Sequence, residues 1–278
     1  MKSIPISFAL SVAFGLACTD ALGSGIVDAQ VEGNTLKASI EVSSAVSAEL
    51  TVGFENAVGL SADSLGLSAV VLSPMDAALL QRFGDAAVSL AGGFPVLLRI
   101  EPPASGGLSF SGMVTVELYT HNLQYEANTP LRLFSAPSGG NFVDVTSFVG
   151  SGSYRTGARK GTFSEFLIVA DTRSLANVIE EKFARLESLL ESHGAQISSA
   201  LGADLAGLVE AARGAHSSGA TVAAIEYTET FAATVAERDG DGIPNVWQSS
   251  RNLVNVAGEL RAAADTLRFS LTLASNSL

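Results

Sequence analysis

The sequence predicts an α+β protein, with an N-terminal antiparallel β-sandwich followed by a C-terminal α-helical hairpin or bundle. Three observations carry this expectation. Up to about Asp171, apolar and polar residues alternate in short runs closed by Gly, Pro and Ser, which is the two-residue period of strands. From Thr172 onward Ala, Leu and Glu take over, β-branched runs end, and apolar residues recur at helical spacing. The chain has 278 residues, 47% hydrophobic and 16% charged, which suits a well-buried globular protein of about two domains.

The N-terminus reads as an export signal. Met1-Lys2 is a short positive region, and Ile4 to Ala17 is an apolar run of signal-peptide length, too short for an ordinary spanning helix. Two processing sites compete. Gly15-Leu16-Ala17-Cys18 has the form of a lipobox, which would leave Cys18 lipidated; Val27-Asp28-Ala29 before Gln30 has the small-residue spacing of an ordinary signal peptidase site. The expected mature start is Gln30, with a signal peptide over 1–29, a sandwich over 30–171 and a helical domain over 172–278. Cys18 is the only cysteine, so no intramolecular disulfide can form. No later stretch is long and apolar enough to span a bilayer.

Leu36, Ala38, Ile40 and Val42 alternate with Lys37, Ser39 and Glu41, and Ala48, Leu50, Val52 and Phe54 alternate with Glu49, Thr51 and Gly53. Such alternation places one face on a core and the other in water. Leu67 to Leu72 reads as a buried strand. Pro74 to Phe83 reads as a short helix with Ser73 as its cap. Phe94 to Glu101 is a strand stopped by Pro102-Pro103, and Leu108 to Thr120 is a strand in two phases with Gly112 at a bulge. Leu131 to Ser135, Phe142 to Val145 and Phe163 to Val169 close the series, separated by Gly/Ser/Pro turns. The total is roughly eight to ten short strands, the pattern of a sandwich or barrel.

At these closing strands the order of FVDVT (Phe142–Thr146), a Gly turn and FSEFLIV (Phe163–Val169) resembles the end of sandwich domains in bacterial surface proteins, of the broad ZU5-like kind. The resemblance runs over Pro95 to Asp171. It implies a fold and an exported setting, not an activity.

In the tail, Leu175, Val178, Ile179, Phe183, Leu186, Leu189 and Leu190 make one helical stripe. Ile197, Leu201, Leu205, Leu208, Val209 and Ala212 make a second, and Val222, Ile225, Phe231 and Val235 a third. Val246 to about Leu271 reads as a fourth helix. Short connections imply antiparallel neighbours. Gly219 with Ala223-Ala224-Ile225 and Phe231, then Leu253-Val254-Asn255 and Ala262-Ala263-Ala264, resemble the small FIMAH-type helical modules of bacterial extracellular proteins. That resemblance implies an interaction or spacer role.

Charge excludes some functions. With 28 acidic and 16 basic residues the net charge is -12, which argues against nucleic acid and against anionic membrane surfaces as partners. None of the three histidines, His121, His193 and His216, lies in a zinc motif, and His193 and His216 fall at expected helix C-termini, where a cation complements the macrodipole. There is no nucleophile elbow, Walker or Rossmann glycine pattern. Asp144 and Glu165, in strands expected to be adjacent, or Glu117, could form a glycosidase pair if two carboxyl groups faced one cleft about 5–10 Å apart. The simpler expectation is that Asp144 caps a turn through Thr146 and Glu165 faces solvent.

The sharpest local motif is ERDGDGIPNVWQ, Glu237 to Gln248. Counting from Glu237 puts Asp239 at position 3, Asp241 at 5, the Ile243 carbonyl at 7, Asn245 at 9 and Gln248 at 12, the ligand spacing of a calcium loop. Glu237 and Gln248 replace the usual Asp and bidentate Glu, so any calcium bound there would be held weakly. The competing expectation is a plain interhelical loop. The functional expectation is an exported, non-enzymatic binding or structural protein with a protein or glycan partner at the bacterial cell envelope; the alternatives are a glycan hydrolase and a calcium-responsive module.

Overall fold

The computed structural model describes residues 25–276. The chain opens as a meander of β1 (Ile26–Glu32), β2 (Thr35–Ser43) and β3 (Val46–Val58). A turn of helix, α1 (Ala62–Leu65), leads to β4 (Leu67–Val71), α2 (Ala77–Gln81), β5 (Val88–Leu90) and β6 (Val96–Ile100). The long β7 (Ser109–Thr120) follows, then β8 (Leu131–Ala136), β9 (Val143–Asp144), β10 (Phe148–Gly150), β11 (Tyr154–Lys160) and β12 (Glu165–Asp171). The rest is α3 (Leu175–Ser192), α4 (Ser199–Ser217), α5 (Thr221–Glu237), a returning strand β13 (Val246–Gln248) and α6 (Val256–Asn276).

The strands form two sheets in which every paired strand is antiparallel. One is seven-stranded, ordered β1-β2-β3-β7-β11-β10, with β13 also on β7; the other is six-stranded, ordered β4-β6-β12-β8-β9, with β5 also on β12. Period-two alternation decides what each buries. In β2, Leu36, Ala38 and Ile40 are buried, while Lys37 and Glu41 are exposed. The same phase in β7 and β11 buries Val114, Val116 and Leu118 with Tyr154 and Ala158. These residues join Leu98, Leu133, Phe166 and Ile168 of the second sheet in one apolar cluster. Each such side chain contributes about 1.5–3 kcal/mol by leaving water. The other face of the second sheet packs Leu97, Phe134 and Leu167 under Leu79 and Phe83 of the α2 segment.

Gly112 is the bulge of β7. The pairing with β3 steps from Phe54↔Val114 to Asn56↔Ser111, so β7 carries an extra residue there. Its φ of 73° lies in the left-handed region, and a Cβ would collide with Glu55.

The helices bury a core of their own: Ile179, Phe183 and Leu186 of α3, Leu205 and Val209 of α4, Phe231 and Val235 of α5, Leu260 and Leu267 of α6. Ser174 caps α3 by accepting from Asn177 N, and Ser198 caps α4 by accepting from Leu201 N. Among the described residues no helix is long and apolar enough to cross a membrane.

Two element expectations are corrected. The short helix occupies Ala77–Gln81, not 74–83, because the Asp76 carboxylate accepts from Ala78 N and Leu79 N and so fixes the start. The fourth helix does not run from Val246. Val246, Trp247 and Gln248 pair with Ser111, Phe110 and Ser109 of β7 instead, and Trp247 enters the two-sheet core, stacked at 5.3 Å on Phe110. The helix waits for Asn255, whose Oδ1 accepts from Gly258 N while its Nδ2 donates to Gly112 O. Change of composition at 172 therefore marks the first helix, while residues 246–248 return to the sheet. The export segment and Cys18 lie outside the described residues; Ala29 and Gln30 sit within β1, which pairs with β2.

Candidate functional site

The helices meet the two sheets along a seam, and the seam holds two buried lysines. α3 contributes Lys182, buried to 4% and held by three acceptors: Asp144 Oδ2 of β9 at 2.6 Å, Thr266 O at 3.1 Å and Ser270 Oγ at 2.8 Å. Asp144 also accepts from Thr146 N at 2.8 Å, and Thr146 O accepts from Thr266 Oγ1 at 2.9 Å. Burial alone would raise the Asp144 carboxyl; the Lys182 ammonium and the Thr146 hydrogen bonds outweigh it and hold the carboxyl below its ordinary range. This cluster pins helices to sheet and leaves the lysine satisfied.

A second buried lysine is not so provided for. Along β11 the inward positions are Tyr154, Thr156 and Ala158, so the next, Lys160, also turns between the sheets. Its Nζ donates to Ser135 Oγ at 3.2 Å and lies 5.9 Å from the Phe166 ring centre. Ser135 Oγ and Ser164 Oγ are 2.7 Å apart, both buried. Among the described residues no carboxylate lies within ion-pair distance of Lys160. Burial, with a further push from the Arg185 guanidinium, lowers its pKa to about 7, while Glu259 pulls the other way.

Lys160, Ser135 and Ser164 line a cavity of about 250 Å³, walled on the sheet side by Val145 and Phe163 and on the helix side by Arg185, Leu189, Glu259 and Ala263. Close approach builds that wall: Gly161 lies so near the backbone of Gly258 and Glu259 that a Cβ there would collide. Glu259 Oε2 is already engaged, 3.0 Å from His193 Nε2. A wider concavity of about 860 Å³ exists on the meander, but it is an open groove whose Gln30, Lys37 and Glu49 stand in water. A second cavity of about 240 Å³ lies between Arg132, Asp171, Arg173 and Ser270, but there Arg173 is already paired with Asp171 at 2.7 Å. The Lys160 cavity is the candidate site, since there a buried lysine without a carboxylate partner borders a space for a ligand.

The sites expected from sequence fall elsewhere. Asp144 does cap its turn through Thr146, but Glu165 does not face solvent: it is 2% exposed and bonded to Arg99 at 2.9 Å and to Arg82. Burial would raise the Glu165 carboxyl, yet the two guanidinium groups hold it below its ordinary range. Nor are the two strands adjacent, because β8 separates β9 from β12. Glu117 is on the other sheet, paired with Arg155 at 2.8 Å. Each candidate carboxylate thus already has a cationic partner.

His121 lies after β7, 2.9 Å from Ser153 Oγ; His193 caps the end of α3; His216 occupies the last turn of α4.

In the 237–248 segment, Glu237 ends α5, Asp239 Oδ2 is 3.3 Å from Arg261, the Ile243 carbonyl accepts from Gly240 N at 3.0 Å, and Gln248 belongs to β13. Asp241 and Asn245 complete the loop, whose Gly240 and Gly242 both have positive φ. Among the described residues no group of three or more His, Cys, Asp or Glu side chains could hold a metal ion, so calcium in this loop would require Arg261 to release Asp239.

Sequence reasoning passed over both lysines, although a signal existed for each. Lys182 falls on the α3 stripe between Val178-Ile179 and Leu186, and Lys160 continues the inward phase of β11.

One family model, described as a family of unknown function (DUF6689), matches residues 10–275. The chain belongs to DUF6689. The match covers the sheets and the helices together, so the seam lies inside the unit that defines the family. No curated protein and no solved structure matches this DUF6689 chain.

Proposed function

We propose that the chain is an exported, non-enzymatic binding protein of the bacterial cell envelope or exterior, in which a β-sandwich and a helical cap hold a small ligand in the seam between them. The observation that carries this reading is the Lys160–Ser135–Ser164 cluster at the inner end of a cavity walled by both sheets and helices. Buried polar groups left with room beside them are the mark of a ligand site. The exported setting rests on Lys2 and the apolar run Ile4 to Ala17, and on the resemblance to ZU5-like sandwiches and FIMAH-type modules. A non-enzymatic role is favoured because Asp144, Glu165 and Glu117 are all taken up in ion pairs.

Two measurements test it. Fractionation of expressing cells with the intact mass of the product should find a processed chain outside the cytoplasm; a full-length chain in the cytosol overturns the exported setting. Native mass spectrometry after incubation with the small-molecule fraction of an envelope extract should show an adduct that Ala262→Phe, which fills the cavity, abolishes. Equal retention by both proteins overturns the seam as the site.

A further inference from the structure

The hydrogen-bonding groups at the seam favour one kind of ligand. A lysine ammonium has three donors and no acceptor. Lys182 has three acceptors in place, whereas Lys160 has one, the Ser135 hydroxyl. Ser135 and Ser164 bond each other, and among the described residues only Ser135 reaches the amine, so two of its three donors have no protein acceptor. Arg185 lines the same cavity and, among the described residues, makes no hydrogen bond or ion pair; it interacts with Glu259 and Lys160 through their charges. Glu259 is itself engaged by His193. Arg159, at the cavity's rim, is 3.3 Å from Asp265.

The cavity therefore holds donors in excess of acceptors, and two cations that repel each other, inside a protein of net charge -12. A buried cation without a partner opposes folding. An acceptor-rich anion arriving from outside would remove that opposition.

The size and remaining walls narrow the anion. About 250 Å³ lies below the volume typical of drug-sized sites, and Val143, Val145, Phe163, Leu189 and Ala263 make much of the lining apolar. Glu259 already sets a negative charge beside Arg185, so Lys160 alone is left without a counter-charge; one ammonium matches one negative charge, and a dianion would bring in a second to be desolvated.

We infer that the seam cavity binds a small monocarboxylate with an apolar body, its carboxylate set against Lys160 and Arg185 and its hydrocarbon part against Phe163 and Leu189. This rests on the seam being a binding site, as proposed above. The carboxylate accepts from the ammonium, from the guanidinium and from the Ser164 hydroxyl if that hydroxyl turns from Ser135. The groups facing the Lys160 amine are Arg185 and, behind it, the Glu259–His193 pair; Arg159 and Asp265 lie at the rim. Binding requires the ammonium form, so affinity falls as pH rises through the Lys160 pKa of about 7.

The test uses the full chain and three probes: hexanoate, hexanamide and inorganic phosphate, followed by calorimetry. Hexanoate should bind, with hexanamide and phosphate at least tenfold weaker. Between pH 6 and 8.5 hexanoate affinity should drop by about 30-fold, the change in the protonated fraction of a group titrating near 7. Lys160→Met should weaken hexanoate at least tenfold and flatten the pH profile, and Arg185→Gln on the half-buried face of α3 should weaken it several-fold. The wild-type pH series and Arg185→Gln keep the test decisive should Lys160→Met fold poorly. Equal binding of hexanoate and hexanamide overturns the carboxylate inference while leaving the seam as an apolar site. Hexanoate binding unchanged in both variants overturns it as well, placing the acid elsewhere. Absence of hexanoate binding also overturns it, and the Ala262→Phe comparison then judges the seam separately.

Discussion

Lys182 and Lys160 are both buried where helices meet sheets, yet their surroundings differ in kind. Around Lys182, three acceptors from β9 and α6 close on the ammonium, one of them the Asp144 carboxylate, so all three of its donors are used. Around Lys160, two serines share a single contact and about 250 Å³ of space remains. The first arrangement ties the structure together. The second withholds partners from a charge that folding has already removed from water, and such a deficit is where a fold keeps capacity for a ligand.

Breaking the tie should have the largest effect. Asp144→Asn leaves the buried Lys182 amine without its counter-ion, and chemical denaturation should show a loss of about 3–5 kcal/mol. Asp144→Leu with Lys182→Met should recover most of it, because neither charge is then buried. The same pair sets the acid limb of stability. Asp144 is held below its unfolded range, so its contribution is present above about pH 4 and is lost as pH falls through the folded value. The double variant should lack that limb.

Removing the unsatisfied charge should have the opposite sign. Lys160→Met is expected to stabilise the ligand-free chain by roughly 1–4 kcal/mol at neutral pH. The sign with pH follows from proton counting. Between the folded pKa of about 7 and the unfolded value, the unfolded chain binds the extra proton. The penalty is therefore complete below pH 7, and wild-type stability should rise as pH climbs toward ~10. Lys160→Met should show no such rise from this group. A destabilised Lys160→Met would place Lys160 with Lys182 as a structural cation.

Smaller effects sharpen the boundary between the regions. Residues 174–278 expressed alone should keep a helical circular dichroism spectrum from their own core, while Trp247 fluorescence shifts to the red because Phe110 and Phe163 are gone. A cooperative melt equal to that of the whole chain would show that the sheet contributes nothing to the helices. Smallest of all, several millimolar calcium should move the melting temperature by less than about one degree, since Arg261 already compensates Asp239. A larger rise, lost in Asp239→Ala/Asp241→Ala, would establish the 237–248 loop as a calcium site.

Much of the architecture was legible because its elements repeat a period long enough to be seen. Strands β2 and β3 alternate over many residues, and α3, α4 and α5 each present a stripe of several turns. What stayed hidden depended on distant partners. Val246–Gln248 is three residues long, and only Ser109–Ser111 makes it a strand. Glu165 is buried because Arg82 and Arg99 come to it from elsewhere in the chain. The candidate site was less legible still. Lys160 carried a faint signal in its phase along β11, but Ser135, Ser164 and Arg185 are unremarkable in sequence and acquire meaning only once β8, β12 and α3 are set around it.

The return of β13 to β7 also has a consequence in time. Ser111 meets Val246 only after the whole intervening chain exists. At about 5–20 residues per second, synthesis leaves that end of β7 open for roughly 7–30 s. Until then Phe110 has no indole to stack on and Gly112 O has no Asn255 to accept from. The chain is thus slow to seal by construction: this end of β7 stays open until the last thirty or so residues arrive to close it.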